Sequence, residues 1–199
     1  RVLFLVQLPP PLHGASKMNE LYAGSDAVRR RCDLRVVRVN RSRSIEDMGN
    51  LRPGKLIGTL SVLLRVAWIL VSFRPRKVYC ELPLGRFGFL RNALLLVLCR
   101  IAGTQVVIHL QGRGMRALVS GNRWAGPLLR AATRGGTAIA LSHSLVSEYE
   151  PFLDRVRMEV VPNGVPDAIG TTEFERSCEA RSAAPRPALL YLSNMIESK

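Results

Sequence analysis

Val160-Val161-Pro162-Asn163-Gly164-Val165-Pro166-Asp167 decides how the rest of this 199-residue chain is read. An apolar strand, Met158 to Val161, runs into Pro-Asn-Gly, where Pro fixes φ and Gly admits a sharp change of direction. Residues 170–187 are polar and charged, with two prolines near their end. A second apolar strand then begins at Ala188-Leu189-Leu190-Tyr191-Leu192. Strand, turn, linker and new strand announce a second domain. Three parts are expected: a domain over 1–169, a linker over 170–187, and over 188–199 the first strand of a further, truncated domain. The chain also enters an apolar strand directly after Arg1, without an initiator Met or the charge pattern of a signal peptide, so it reads as a fragment.

Upstream of the turn, short apolar strands alternate with longer helices. Strands are expected at Val2–Val6, Leu34–Val39, Lys77–Glu81, Val106–Leu110, Ala138–Leu141 and Met158–Val161. Helices are expected at Ser16–Arg31, Leu56–Phe73, Phe87–Ala102, Ala125–Arg134 and Leu145–Phe152. This alternation implies βαβ units and a parallel sheet. Right-handed crossovers place helices on both faces, so the fold class is α/β and Rossmann-like, with six strands. Ligands of such sheets lie at the C-terminal ends of the strands.

Composition narrows the classes further. With 47% hydrophobic residues, the domain can bury a substantial core. The net charge of +14 favours acidic partners such as phosphates, nucleotides or anionic lipid, although a merely solvated basic surface reads equally well. Only four of the 29 basic residues are Lys. Cys32, Cys80, Cys99 and Cys178 form no CxxC pair, which argues for buried reduced thiols over structural zinc. The run from Leu56 to Phe73 is just long enough to span a bilayer. Its Gly58, Ser61, Arg65 and Ser72 share one helical stripe, which favours a helix packed on the sheet.

Three loops at strand ends carry candidate chemistry. The first strand leads into Pro10-Pro11-Leu12-His13-Gly14-Ala15-Ser16. A helix opening at Gly14–Ser16 offers unpaired N–H groups to an anion, whereas Ser16 as a plain N-cap is the competing reading. No GxGxxG fingerprint is present. The fourth strand ends in Ile108-His109-Leu110-Gln111-Gly112-Arg113-Gly114, so His109 and Gln111 share a face at the sheet edge. A structural histidine is the alternative there. Ser142 follows the fifth strand, either beside the same crevice or as a helix cap. Arg29, Arg30, Arg31, Arg35, Arg38, Arg41 and Arg43 cluster around the second strand, as a solvated face or as a contact for anionic lipid. No Ser-His-Asp order, HExxH or Walker loop is legible.

Taken in order, these segments resemble the N-terminal half of glycosyltransferase family 4, retaining enzymes of GT-B fold. Pro10 to Ser16 resembles the family's glycine-containing loop. Ala140-Leu141-Ser142 resembles its segment before a helix, and Val161-Pro162-Asn163-Gly164-Val165 its "vPNGvd" segment. Leu192-Ser193-Asn194-Met195-Ile196-Glu197-Ser198-Lys199 resembles the start of its C-terminal domain. The resemblance implies transfer of a hexosyl-type sugar from a nucleotide-sugar to a polysaccharide or lipid-linked acceptor. The nucleotide-sugar is then a substrate, and no cofactor or metal is expected. It implies that His13, Gly14, Ala15 and Ser16, with Asn194 and Lys199, meet the donor phosphates. Asn194 stands where the family usually has Arg. It further implies that His109 or Gln111 lies near the transferred sugar, and that Gly112, Ser142, Asn163 and Gly164 line the cleft. The family often has a His immediately before the Gly, where this chain has Gln111. A cytoplasmic site of action is implied, with docking at the inner face of the plasma membrane suited to the basic surface and apolar helices. Two other classes stay open: a nucleotide-sugar epimerase of the same fold and a basic nucleic-acid-binding module. Against the latter, no recognition-helix or RNP signature is present and aromatics make up 6% of the chain.

Overall fold

A computed structural model of the chain describes residues 1–39, 53–164 and 171–182. The chain divides into two compact units, Arg1–Asn163 and Gly164–Lys199. The first is an α/β domain on one six-stranded, wholly parallel sheet in the order β2-β1-β3-β4-β5-β6. Its strands are β1 (Val2–Val6), β2 (Leu34–Arg38), β3 (Lys77–Glu81), β4 (Gln105–Leu110), β5 (Thr137–Ala140) and β6 (Arg157–Val160). Between them lie α1 (Gly14–Gly24), α2 (Asp26–Arg31), α3 (Pro53–Ser72), α4 (Arg86–Ile101), α5 (Met115–Ser120), α6 (Ala125–Thr133) and α7 (His143–Tyr149). A single 3-10 turn, Glu150–Phe152, closes α7. Each of the six strands expected upstream of the Pro162-Asn163-Gly164 turn is present. The helix expected over Ser16–Arg31 is two helices, because Ser25 leaves helical geometry (ψ 122°) directly after Gly24.

Alternation along each strand sends side chains to two unlike faces. Leu3 and Leu5 of β1 join Val78, Cys80, Ile108, Leu110, Ala138 and Ala140 in the main core, which α3 to α7 cover with Val66, Phe89, Leu95, Leu96, Leu129 and Tyr149. Phe4 and Val6 point the other way and meet Ala23, Tyr22 and Val28 of α1 and α2, with Tyr79. Burying a Leu or Phe side chain contributes about 1.5–3 kcal/mol, so the larger cluster dominates stability. Burial in that core also pushes the Cys99 thiol up to about 12; Cys80 is buried as well, whereas Cys32 is half-buried and Cys178 exposed.

The long helix α3 packs on the sheet through Val62, Val66, Ile69 and Leu70. Its solvent side departs from expectation. Ser61, Arg65 and Ser72 do lie toward that side, but Gly58 is buried, and the exposed centre is apolar. Among the described residues no helix is long and apolar enough to cross a membrane.

In the second unit a helix, α8 (Thr171–Ser182), occupies most of the stretch whose composition suggested a linker. Its sequence, TTEFERSCEARS, holds good helix formers and neither Gly nor Pro. The strand expected over 188–199, with Asn194 and Lys199, lies outside the described residues, as do Arg41 and Arg43.

Candidate functional site

In this strand order the connection after β1 runs to one side and the connection after β3 to the other, so a crevice opens between the C-terminal ends of these two strands. Glu81, the last residue of β3, sits there at 5% exposure. Asn19 of α1 is fully buried and donates through Nδ2 to Glu81 Oε2 (2.7 Å) and to the Gln7 carbonyl at the end of β1 (3.1 Å). From the other side, Asn92 of α4 donates to the Glu81 carbonyl (2.7 Å). Asn19 thus ties α1 to the Glu81 carboxylate and to the end of β1, while the Glu81 backbone carbonyl holds α4. Burial raises the Glu81 pKa, and the Asn19 hydrogen bond and the Arg91 charge oppose that rise.

His109 faces Glu81 across the β3–β4 ladder and is 3% exposed. Two donors meet its Nδ1: the Tyr79 hydroxyl and, at 3.4 Å, the Gln111 side-chain amide. Burial keeps Tyr79 protonated by raising its pKa and lowers that of His109 to about 4. His109 is therefore neutral near pH 7, accepts at Nδ1 and carries its proton on Nε2. That Nε2 is buried and has no partner among the described residues. The Tyr22 ring of α1 lies 6.0 Å from the imidazole, and the Tyr22 hydroxyl donates to Asn163 Oδ1 (2.9 Å). Asn163, the last residue of the first unit, is thereby tied to α1. Gly164 is exposed and belongs to the second unit.

His13 repeats the same chemistry at the start of α1. It is the helix N-cap, the place the sequence reading gave to Ser16. Ser16 instead stands at the third helical position of a capping box: its N–H donates to His13 Nδ1 (3.3 Å), and its Oγ accepts from the His13 N–H (3.0 Å). The Ser16 hydroxyl is fully buried and donates back to the loop, at 2.9 Å from both the Pro11 and His13 carbonyls. Imidazole takes the capping role because its Nδ1, two bonds from Cβ, reaches the N–H that a Ser or Asp oxygen would accept from. With Nδ1 used as an acceptor, the His13 proton also sits on Nε2, a second buried atom without a partner among the described residues. Burial lowers the His13 pKa as well. Gly14 and Ala15 contribute the first two N–H groups of α1, which a helix cannot bond internally. Open space lies where a Gly14 Cβ would stand.

The remaining predicted residues lie in the loops that follow β4 and β5. Gly112 accepts from the Tyr149 hydroxyl (2.8 Å), which anchors the loop after β4. Gly114 has φ +121°, a geometry that favours glycine, and the Glu148 carboxylate accepts from the N–H groups of Gly114 (2.6 Å) and Met115 (3.1 Å). Ser142 occupies the N-cap position of α7, but its hydroxyl meets Ser144 (2.9 Å) rather than the helix backbone. Arg113 also donates to Ser144 (3.0 Å). Among the described residues no three His, Cys, Asp or Glu side chains come together as a metal site.

Tyr79, Glu81, Asn19 and Tyr22 were not singled out from sequence. Period-two alternation over Tyr79-Cys80-Glu81 does place Tyr79 and Glu81 on one face, and a carboxylate ending a buried strand is itself a signal. Asn19 and Tyr22, three apart on α1, gave none, because their partners lie 62 and 141 residues away. Comparison with protein-family models, curated proteins and solved structures returned no match to this chain.

Proposed function

We propose that residues 1–169 form the acceptor-side half of a two-domain glycosyltransferase that moves a hexosyl-type sugar from a nucleotide-sugar to a saccharide or lipid-linked acceptor. The observation that carries this reading is that two neutral histidines, His109 near the end of β4 and His13 at the N-cap of α1, each keep a buried Nε2–H without a partner among the described residues, His13 next to the first two amides of α1. Such donors need a ligand rich in acceptors. A sugar hydroxyl or a diphosphate supplies them without bringing a base. In this scheme the Gly14 and Ala15 amides stabilise charge on the departing nucleotide diphosphate. His109 donates to an oxygen of the transferred sugar and does not act as a base, because its lowered pKa and fixed tautomer leave Nε2 protonated. Gln111 contributes by holding Nδ1 as an acceptor. Asn163, tied to α1 through Tyr22, borders the same site.

The test is transfer of labelled sugar by the full-length protein from UDP- and GDP-linked hexoses to a lipid extract. Labelled sugar should appear in the lipid or saccharide fraction, and His109→Ala should lower kcat/KM by about a hundredfold. Conversion of one nucleotide-sugar into its epimer, with no labelled acceptor, would replace transfer by isomerisation. Inertness toward every nucleotide-sugar would remove the reading altogether.

A further inference from the structure

The solvent side of α3 bears large apolar residues where a helix of a sheet-based domain ordinarily turns polar. Ile57, Leu60, Leu64, Trp68 and Val71 recur every three or four residues and are all more than half exposed, Trp68 at 70%. The neighbouring α4 packs on the same core and repeats the pattern, with Leu90, Leu94 and Ile101 exposed. Scattered apolar residues need no explanation, but two aligned stripes on adjacent helices form a patch of the kind that marks an interaction surface.

Charge identifies the occupant. From Met48 to Ser147 the chain carries fourteen basic residues and a single acidic one, Glu81, which is buried at the crevice. The helices α3 and α4 contain no Asp or Glu at all. Arg65 stands exposed between Leu64 and Trp68, and Arg74, Arg76 and Lys77 are exposed just past the end of α3. An apolar stripe with Trp among it and Arg along its border matches the acyl–headgroup boundary of an anionic bilayer, where the long Arg stems keep their charge at the phosphates. A second copy fits less well, because two such surfaces repel. The Arg29–Arg31 run lies with α2 on the opposite side of the sheet and is flanked in sequence by exposed Asp26 and Asp33.

We infer that the paired outer stripes of α3 and α4 are a membrane-docking face that lies on an anionic bilayer without crossing it. This face is independent of the sugar-transfer reading and stands or falls apart from it. Purified protein is sedimented with vesicles of phosphatidylcholine alone or mixed equally with phosphatidylglycerol. It should sediment with the anionic vesicles only, and less as salt rises. Leu64→Ser combined with Trp68→Ser should weaken that binding by about tenfold or more. Neutralising Arg29, Arg30 and Arg31 to Gln should change it by less than about twofold. With Trp124→Phe, brominated acyl chains in the anionic vesicles should quench Trp68 fluorescence. Binding that the double substitution leaves intact, or Trp68 fluorescence unquenched in bound protein, would overturn the inference. So would failure to bind anionic vesicles. A concentration-dependent dimer that the double substitution dissolves, in protein that ignores vesicles, would assign the face to a second copy instead.

Discussion

The two faces of the sheet are built from the same strands and do opposite work. The face under α3 to α7 is a packed apolar core in which Leu3, Leu5, Ile108 and Leu110 are fully buried. On the face under α1, Phe4 and Val6 give way toward the strand ends to Tyr79, Glu81 and His109. Buried polar groups there bring less burial energy and require partners. Asn19, Tyr79 and Gln111 supply most of those partners; among the described residues His109 Nε2 and Asn19 Oδ1 stay unpaired on this face, His13 Nε2 in the loop after β1, and Asn122 Oδ1 between α5 and α6. Each such atom costs about 1–3 kcal/mol unless a ligand or water meets it. The difference teaches that one face holds the domain together by apolar burial, while the other gathers the polar groups on which the proposed site rests.

The comparison breaks first if the core face does not carry the stability. Leu95→Ala should lower unfolding free energy by about 2–5 kcal/mol in denaturant titration, while transfer per folded molecule is unchanged. Asn19→Ala strips the Glu81 carboxylate and the Gln7 carbonyl of a donor, so a loss of about 1–3 kcal/mol is expected together with reduced transfer. Equal stability in that variant would detach α1 from the crevice.

Acid sensitivity sharpens the picture. His109 titrates near 6.5 in the unfolded chain and near 4 in the fold, so between these values only the unfolded state binds the proton. Its contribution is therefore intact above about pH 6.5, falls as pH drops toward 4, and then levels off. Glu81, whose pKa is raised, acts in the opposite sense, favouring the fold more at low pH. The difference between parent and His109→Gln isolates the histidine. The substitution should flatten about 2–3 kcal/mol of acid destabilisation between pH 6.5 and 4. An unchanged pH profile would mean that His109 is not held neutral.

The smallest expected effect on stability is at Gly14. Its Cβ position is open and its helix would gain a better former, so Gly14→Ala should melt within about 0.5 kcal/mol of the parent. Transfer should nonetheless fall, because the added methyl stands where the diphosphate approaches the amides. A drop in stability with unchanged transfer would reverse the assignment of this loop.

The sheet was legible because strands such as Val2–Val6 and Lys77–Glu81 are short, apolar and punctuated by turns, and periodicity is a local property. The six-residue helix α5 was not, since fewer than two turns give no period and its amides are capped by Glu148 from a distant helix. His109, His13 and Asn163 stood out in the sequence by their places near strand ends. The roles of Tyr79, Asn19 and Tyr22 emerge only when β3, β4 and α1 are packed together. The outer stripe of α3 was hidden for a related reason: Ser61, Arg65 and Ser72 looked like the whole solvent face, while the sequence could not show that Ile57, Leu64 and Trp68 also point outward.

The most direct measurement is a long-range proton–nitrogen NMR spectrum of the histidine rings in the full-length protein at pH 7, without and with a nucleotide-sugar. The account predicts that His13 and His109 are both neutral with the proton on Nε2, and that both Nε2 resonances shift when the nucleotide-sugar is added. A proton on Nδ1 in either ring, or Nε2 resonances unmoved by nucleotide-sugars that the protein turns over, would contradict it.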